Sequence, residues 1–362
     1  MEPFARVLEQ PEAKRLLHGA VSEGAAHAYL FHGPAGVGKR RAALELAGAL
    51  LGDERRVLGD KPSHPDLYLL EPLGEMIRID EIRELHRDLH MRPYEASRRV
   101  YVVFGAHLLN EDAADALLKD LEEPPPYAVI VLVADELGPL PATIRSRCQL
   151  VPFRRLSATA VREWIAARAP ELAEAEVRAI ARVAAGRLDR AARLLDPAAA
   201  GRREVLLRVA RGPYADADFQ PGEAAAAIMA GARECGAAAK DRAEEALEEL
   251  DLTAREAEQR VKRAQRGAER EELLASLEEL AAWYRDLVVV GSGAESAALH
   301  SDRAAELRED ATRERLGGAE RAAEAVRETW RALEEFNLNP SLALEALFVR
   351  LRAELDSAQI HY

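Results

Sequence analysis

The strongest constraint is an alternation confined to the first part of the chain. Short, almost wholly apolar runs rich in β-branched residues recur between amphipathic stretches: Ala28-Tyr-Leu-Phe31, Asp66 to Leu70, Val100-Tyr-Val-Val-Phe104 and Val129-Ile-Val-Leu-Val133. Runs without polar alternation are buried on both faces, and their separation by helices predicts a parallel sheet of the α/β class. After Phe153 the strands stop, and Ala, Glu, Arg and Leu dominate to the end. Helical spacing predicts three short helices over Ala158 to Ala169, Glu171 to Ala185 and Leu188 to Leu195, broken by Pro170 and Gly186. A hinge is expected across Pro197 to Pro221, where Pro and Gly recur. The charged run from Lys240 to Glu279 reads either as a coiled-coil hairpin arm or as a solvated helix face. Gly291-Ser-Gly293 marks a loop before helices resume to Arg352.

With 362 residues, two or three domains are expected. The 50 basic and 63 acidic side chains leave a formal charge of -13, which argues against a surface built to wrap nucleic acid, though a local basic patch is compatible with it. Only Cys148 and Cys235 occur, too few for a disulfide framework or a four-ligand zinc site, so no metal is expected. No run reaches the roughly 20 apolar residues of a membrane span, and residues 1–17 lack the apolar stretch of a signal peptide; a cytoplasmic protein without membrane contact is expected.

Gly33-Pro-Ala-Gly36-Val-Gly38-Lys39-Arg40 lies between a strand and a helix. Glycines there allow backbone N–H groups to curl around phosphate oxygens, and Lys39 is placed to reach them. The competing reading is a tight turn with no ligand. Arg40 stands where a hydrolysing loop has a Ser or Thr for Mg²⁺. The Val100 strand runs into Gly105-Ala106-His107, with no carboxylate to hold metal or position water. His107 reads as a base or, more simply, as a capping residue. Further on, Ala113 to Glu123 is an Ala/Leu-rich helix stopped by Pro124-Pro125-Pro126. Thr143-Ile-Arg145-Ser146-Arg147-Cys148 then reads either as a helix end with two solvated arginines or as a pair of cations aimed at an anion.

Taken together, HAYLFHGPAGVGKRRAALELA, His64-Pro-Asp66, ALLKDLEEPPP and TIRSRC resemble the delta-prime family of bacterial clamp-loader subunits, AAA+ proteins that work with DNA polymerase III. Trp283 to Leu287 and Asn337 to Leu347 extend the resemblance toward the end of the chain. It implies an AAA+ module with a P-loop (1–156), a three-helix lid (157–205) and a helical oligomerisation collar (206–362). It also implies a stator within a DNA-directed DNA polymerase holoenzyme, with no ATPase activity of its own, whose partners are gamma/tau motor subunits, a delta subunit, the sliding clamp and primed DNA. Arg147 becomes the arginine finger acting in trans, positioned by Ser146 and Cys148. Gly33, Gly36, Gly38 and Lys39 become a degenerate site that requires no cofactor and is compatible with ATP binding but not with hydrolysis. Ala134-Asp135 falls where motors carry Thr or Asn near the γ-phosphate. Many relatives hold zinc with four cysteines before the His-Pro-Asp segment, and residues 52–63 contain none. An active AAA+ motor and a P-loop phosphotransferase are the alternatives. An apolar stripe through Leu342, Leu344, Leu347, Val349 and Leu351 is expected either to meet partner helices or to close an intramolecular bundle.

Overall fold

The computed structural model describes residues 3–59, 62–72, 76–247, 253–336 and 338–356. They form two compact units, one of residues 1–164 with 186–189, the other of residues 165–185 and 190–362.

The first unit is a five-stranded parallel sheet ordered β2-β3-β4-β1-β5, with β1 Ala28–His32, β2 Leu67–Leu70, β3 Arg99–Phe104, β4 Ala128–Ala134 and β5 Gln149–Pro152. The four runs singled out in the sequence are four of these strands. Alternate residues of the central strands serve opposite faces. Tyr29, Phe31, Val102 and Val131 face α1 (Pro11–Ser22) and α2 (Lys39–Leu51) through Leu17, Ala42 and Leu46. Leu30, Val103, Ile130 and Leu132 meet α4 (Ile79–Leu89) and α5 (Glu111–Glu122) through Ile82, Leu85 and Leu117. Double coverage explains why the strands show no polar alternation. The short α3 (Glu54–Leu58) follows α2, and α6 (Ala142–Arg145) precedes β5.

The His-Pro-Asp segment has a structural task. Asp66, fully buried, accepts backbone N–H bonds from Tyr94, Glu95 and Ala96 at 2.6–2.8 Å. Burial alone would raise its pKa, but these three donors hold the carboxyl below its ordinary value.

The expected helices appear as α7 (Ala158–Arg168), α8 (Glu174–Ala184) and α9 (Leu188–Leu195). The expected hinge is corrected: residues 197–215 are a continuous helix, α10 (Pro197–Ala215). Pro197 occupies the first turn, where a missing N–H costs nothing, and Asp196 caps the helix by accepting from Ala198 and Ala199. Only residues 216–220 separate it from α11 (Pro221–Leu247).

In the second unit, α11 packs along α12 (Ala254–Gly291), so the described part of the 240–279 run is a helical hairpin. Its charged faces carry i,i+4 pairs such as Glu258–Lys262 at 2.5 Å, which makes it a solvated surface as well. Residues 248–252 of that run lie outside the described residues. The core draws on α10, α11, α12, α14 (Leu316–Glu335) and α15 (Pro340–Leu355), centred on Trp283, Tyr284, Leu347 and Phe348; α13 spans Ala304–Asp310. Leu344, Leu347 and Leu351 of the expected stripe close this core, whereas Leu342 and Val349 are exposed. Asn339 caps α15 with Pro340 at its first position; Asn337 lies outside the described residues. No described helix is long and apolar enough to cross a membrane.

Candidate functional site

The loop between β1 and α2 turns on glycines with positive φ at residues 33, 36 and 38. Gly33 and Gly36 have φ of 133° and 67°, and each is hemmed in: a Cβ at Gly33 would strike the carbonyl of Phe153, and one at Gly36 the carboxylate of Asp189. The backbone of Gly36 also accepts a 2.7 Å bond from Leu188 N–H. Gly38 is the N-cap of α2 and has no side chain with which to cap the first N–H groups of the helix.

Lys39 is almost wholly buried, at 4% exposure. Its Nζ donates to the carbonyls of Gly33 and Pro34 and lies 2.8 Å from the carboxylate of Asp135. Burial lowers its pKa, and the charge of Asp135 opposes that shift. The loop cation therefore already has an anionic partner within the chain. Asp189, held at 2.7 Å by Arg187, adds a second carboxylate against Gly36.

Arg40 turns away from the loop. Its guanidinium lies 4.2 Å from the centre of the Phe104 ring and 2.5 Å from Glu71. The position that would hold a metal-binding hydroxyl thus carries a cation, and the end of β3 carries the ring beneath it. After Gly105, the His107 ring accepts the backbone N–H of Asp135 at 3.2 Å. That bond fits the capping reading of His107 and positions the carboxylate that meets Lys39.

The Thr143 to Cys148 segment forms a separate group. Ser146 closes α6, its hydroxyl donating to the Thr143 carbonyl at 3.0 Å. Arg147 donates to the same carbonyl at 3.0 Å and pairs with Glu122 of α5 at 2.5 Å. Both partners of that pair are partly exposed, at 34% and 49%. Burial pushes the Cys148 thiol up to about 12, so it is a packing residue and not a nucleophile near neutral pH. The bonds of Ser146 and Arg147 run to Thr143 and Glu122 rather than to the loop of Gly33, Gly36, Gly38 and Lys39. Glu122, Glu71 and Asp189 were not singled out in the sequence. Each is an ordinary acid on a helix or loop, and only the fold brings it to its cation.

Comparison with known proteins bears on this module. Residues 9–157 match the family model described as "DNA polymerase III, delta subunit". The DNA polymerase III subunit delta' of Bacillus subtilis is 34% identical over 167 residues, covering 42% of this chain and 50% of that protein. That of Pseudomonas aeruginosa is 35% identical over 159 residues, covering 40% and 48%. The chain thus spans about half the length of these curated relatives. A solved DNA polymerase III gamma subunit-related protein from Thermotoga maritima aligns over 95% of this chain and 99% of its own, at 18% identity and a TM-score of 0.44. Over residues 9–157, the parallel-sheet module that carries both the glycine loop and the Arg147 segment, the chain is similar to DNA polymerase III delta-prime subunits.

Proposed function

We propose that this chain is the delta-prime stator of a bacterial DNA polymerase III clamp loader, with a degenerate nucleotide site and with Arg147 as an arginine finger in trans. In this reading residues 1–156 are the AAA+ module, 157–205 a lid and 206–362 the collar that joins the gamma/tau motor and delta subunits in the cytoplasm. The clamp and primed DNA are met through the complex. The loader helps place the sliding clamp on DNA during replication.

The observation that carries the reading is Arg147, a permanently charged planar donor beside a helix end, on a module that matches delta-prime subunits. Its partly exposed pair with Glu122 is worth about 0–1 kcal/mol. A finger is worth roughly 10³–10⁵ in rate, or about 4–7 kcal/mol. Glu122 therefore serves as a weak parking partner that phosphate oxygens displace. The degenerate site is supported by Asp135 on Lys39, by Arg40 stacked on Phe104 and by the lack of a carboxylate at residues 104–107.

The test is a reconstituted loader carrying Arg147→Ala. Complex assembly should be unchanged, clamp-dependent ATP turnover should lose the contribution of one adjacent site, and loading on primed DNA should be impaired. Arg147→Lys should rescue poorly, because an ammonium keeps the charge and loses the fork. Arg145→Ala should leave turnover intact. Wild-type turnover in the Arg147→Ala complex would reduce the residue to a surface role. ATP turnover by the isolated chain, abolished by Lys39→Ala, would establish the motor reading instead.

A further inference from the structure

The seam between α4 and α5 holds a cluster that nucleotide chemistry does not use. His86 lies in the last turn of α4 and His90 is the residue that caps it, so the two are four apart and share a face. Their rings meet edge to face with centroids 4.6 Å apart. Across the seam stands Asp120 of α5, 2% exposed, with one carboxylate oxygen 2.6 Å from His86 Nδ1. Its other oxygen, Oδ2, is buried and has no hydrogen-bond partner among the described residues. A buried carboxylate oxygen without a donor is unusual in a folded protein and calls for a missing cationic or donor partner. One ligand atom from each of the three residues lies within 4.8 Å of the other two.

We propose that His86, His90 and Asp120 form a binding site for a divalent cation of the zinc type. Two imidazole nitrogens with one carboxylate oxygen suit Zn²⁺, whereas Mg²⁺ and Ca²⁺ favour all-oxygen sets. Bonds of 2.0–2.1 Å place tetrahedral ligands about 3.3 Å apart. Reaching that from a spread of 4.8 Å requires rotation of exposed imidazoles, with both helices left in place. Both histidines face solvent, so the fourth position is open to water or to a donor from outside. The bound cation cross-links α4 to α5 and supplies the charge that the buried carboxylate lacks. The expectation of no metal rested on cysteine count and on four-ligand sets; this site needs three ligands, drawn from two helices.

The test uses the full chain without an affinity tag, washed with chelator and titrated with zinc sulfate by calorimetry, alongside thermal unfolding. One equivalent should bind and raise the unfolding temperature. His90→Ala removes an exposed ligand without disturbing the core and should weaken binding at least tenfold and abolish the temperature shift. His86→Ala and Asp120→Asn should act in the same direction, while His27→Ala, an exposed histidine elsewhere, should change nothing. If Asp120→Asn fails to fold, the two histidine variants still decide. Absence of binding at about 100 μM zinc, or binding unchanged by His90→Ala, would leave His86 and Asp120 as a hydrogen-bonded pair and overturn the site. This outcome is independent of the clamp-loader reading.

Discussion

Asp135 sets a carboxylate 2.8 Å from the one lysine of the glycine loop. A nucleotide phosphate entering this loop has to displace the carboxylate from Lys39 and remain beside it. Two unit charges 4 Å apart repel by about 4 kcal/mol at an effective dielectric of 20. Even a third of that is tenfold in affinity. Asp135→Asn should therefore tighten binding of ATP by at least tenfold in calorimetric titration of the isolated chain. It should also destabilise the chain by about 1–3 kcal/mol in urea unfolding, because the buried ammonium loses its counter-charge; the half-exposed position of Asp135 keeps the loss below that of a fully buried pair. Equal ATP affinity in the two proteins would mean that the carboxylate does not guard the loop. At this scale Lys39, Arg40 and Arg147 drew attention through the local motifs they sit in, and Asp135 only through the family resemblance. Glu71, Glu122, Asp189 and the His86–His90–Asp120 cluster did not, because each depends on which helix or loop lies beside which.

Among the elements, the buried central strands were readable since double burial leaves an apolar run that no other element explains. β5 was not: four residues long and at the sheet edge, it has two exposed positions, Gln149 and Leu150, and so lacks that signature. α10 was hidden by its prolines, although Asp196-Pro197 is a helix-start signal when read by position rather than by composition. The clearest titrating element is His300, on the segment that follows α12 and packed against two carboxylates of that helix. His300, fully buried, meets Asp286 at 2.8 Å through Nδ1 and Glu279 at 3.2 Å through Nε2, and Glu279 also takes Arg190 and Arg203, each at 2.6 Å. Burial alone would lower the pKa of His300, but the two carboxylates outweigh it and raise it above 6.5. The folded state then holds a proton that the unfolded state releases. The stabilisation is complete below about pH 6.5 and is lost as pH rises through the higher folded-state pKa. Urea unfolding across pH 6 to 9 should show wild-type stability falling with pH. In His300→Asn that slope should be absent. A decline of equal steepness in the variant would assign it to other groups.

At the scale of the whole molecule, charge decides how a chain of this composition meets DNA. Binding to duplex draws most of its sequence-independent affinity from counterions released as Lys and Arg neutralise phosphates. A chain with 13 more acidic than basic side chains has a net field that repels the same polyanion. Many of its arginines are also committed to carboxylates of the fold; Arg190, Arg203 and Arg211 each pair with an acid of their own unit at 2.6–2.7 Å. Those guanidiniums are not available to phosphate without breaking partly buried pairs. The isolated chain should therefore show no measurable affinity for a primed duplex at about 150 mM salt, where basic proteins bind non-specifically with Kd near 10⁻⁴ to 10⁻⁶ M. Fluorescence anisotropy with a labelled primer–template, repeated at lower salt, measures this directly. Micromolar binding whose logarithm falls steeply with the logarithm of salt would reveal a local basic surface strong enough to override the net charge. Its absence, together with assembly into an active loader, is the result expected of a subunit that reaches DNA only through its partners.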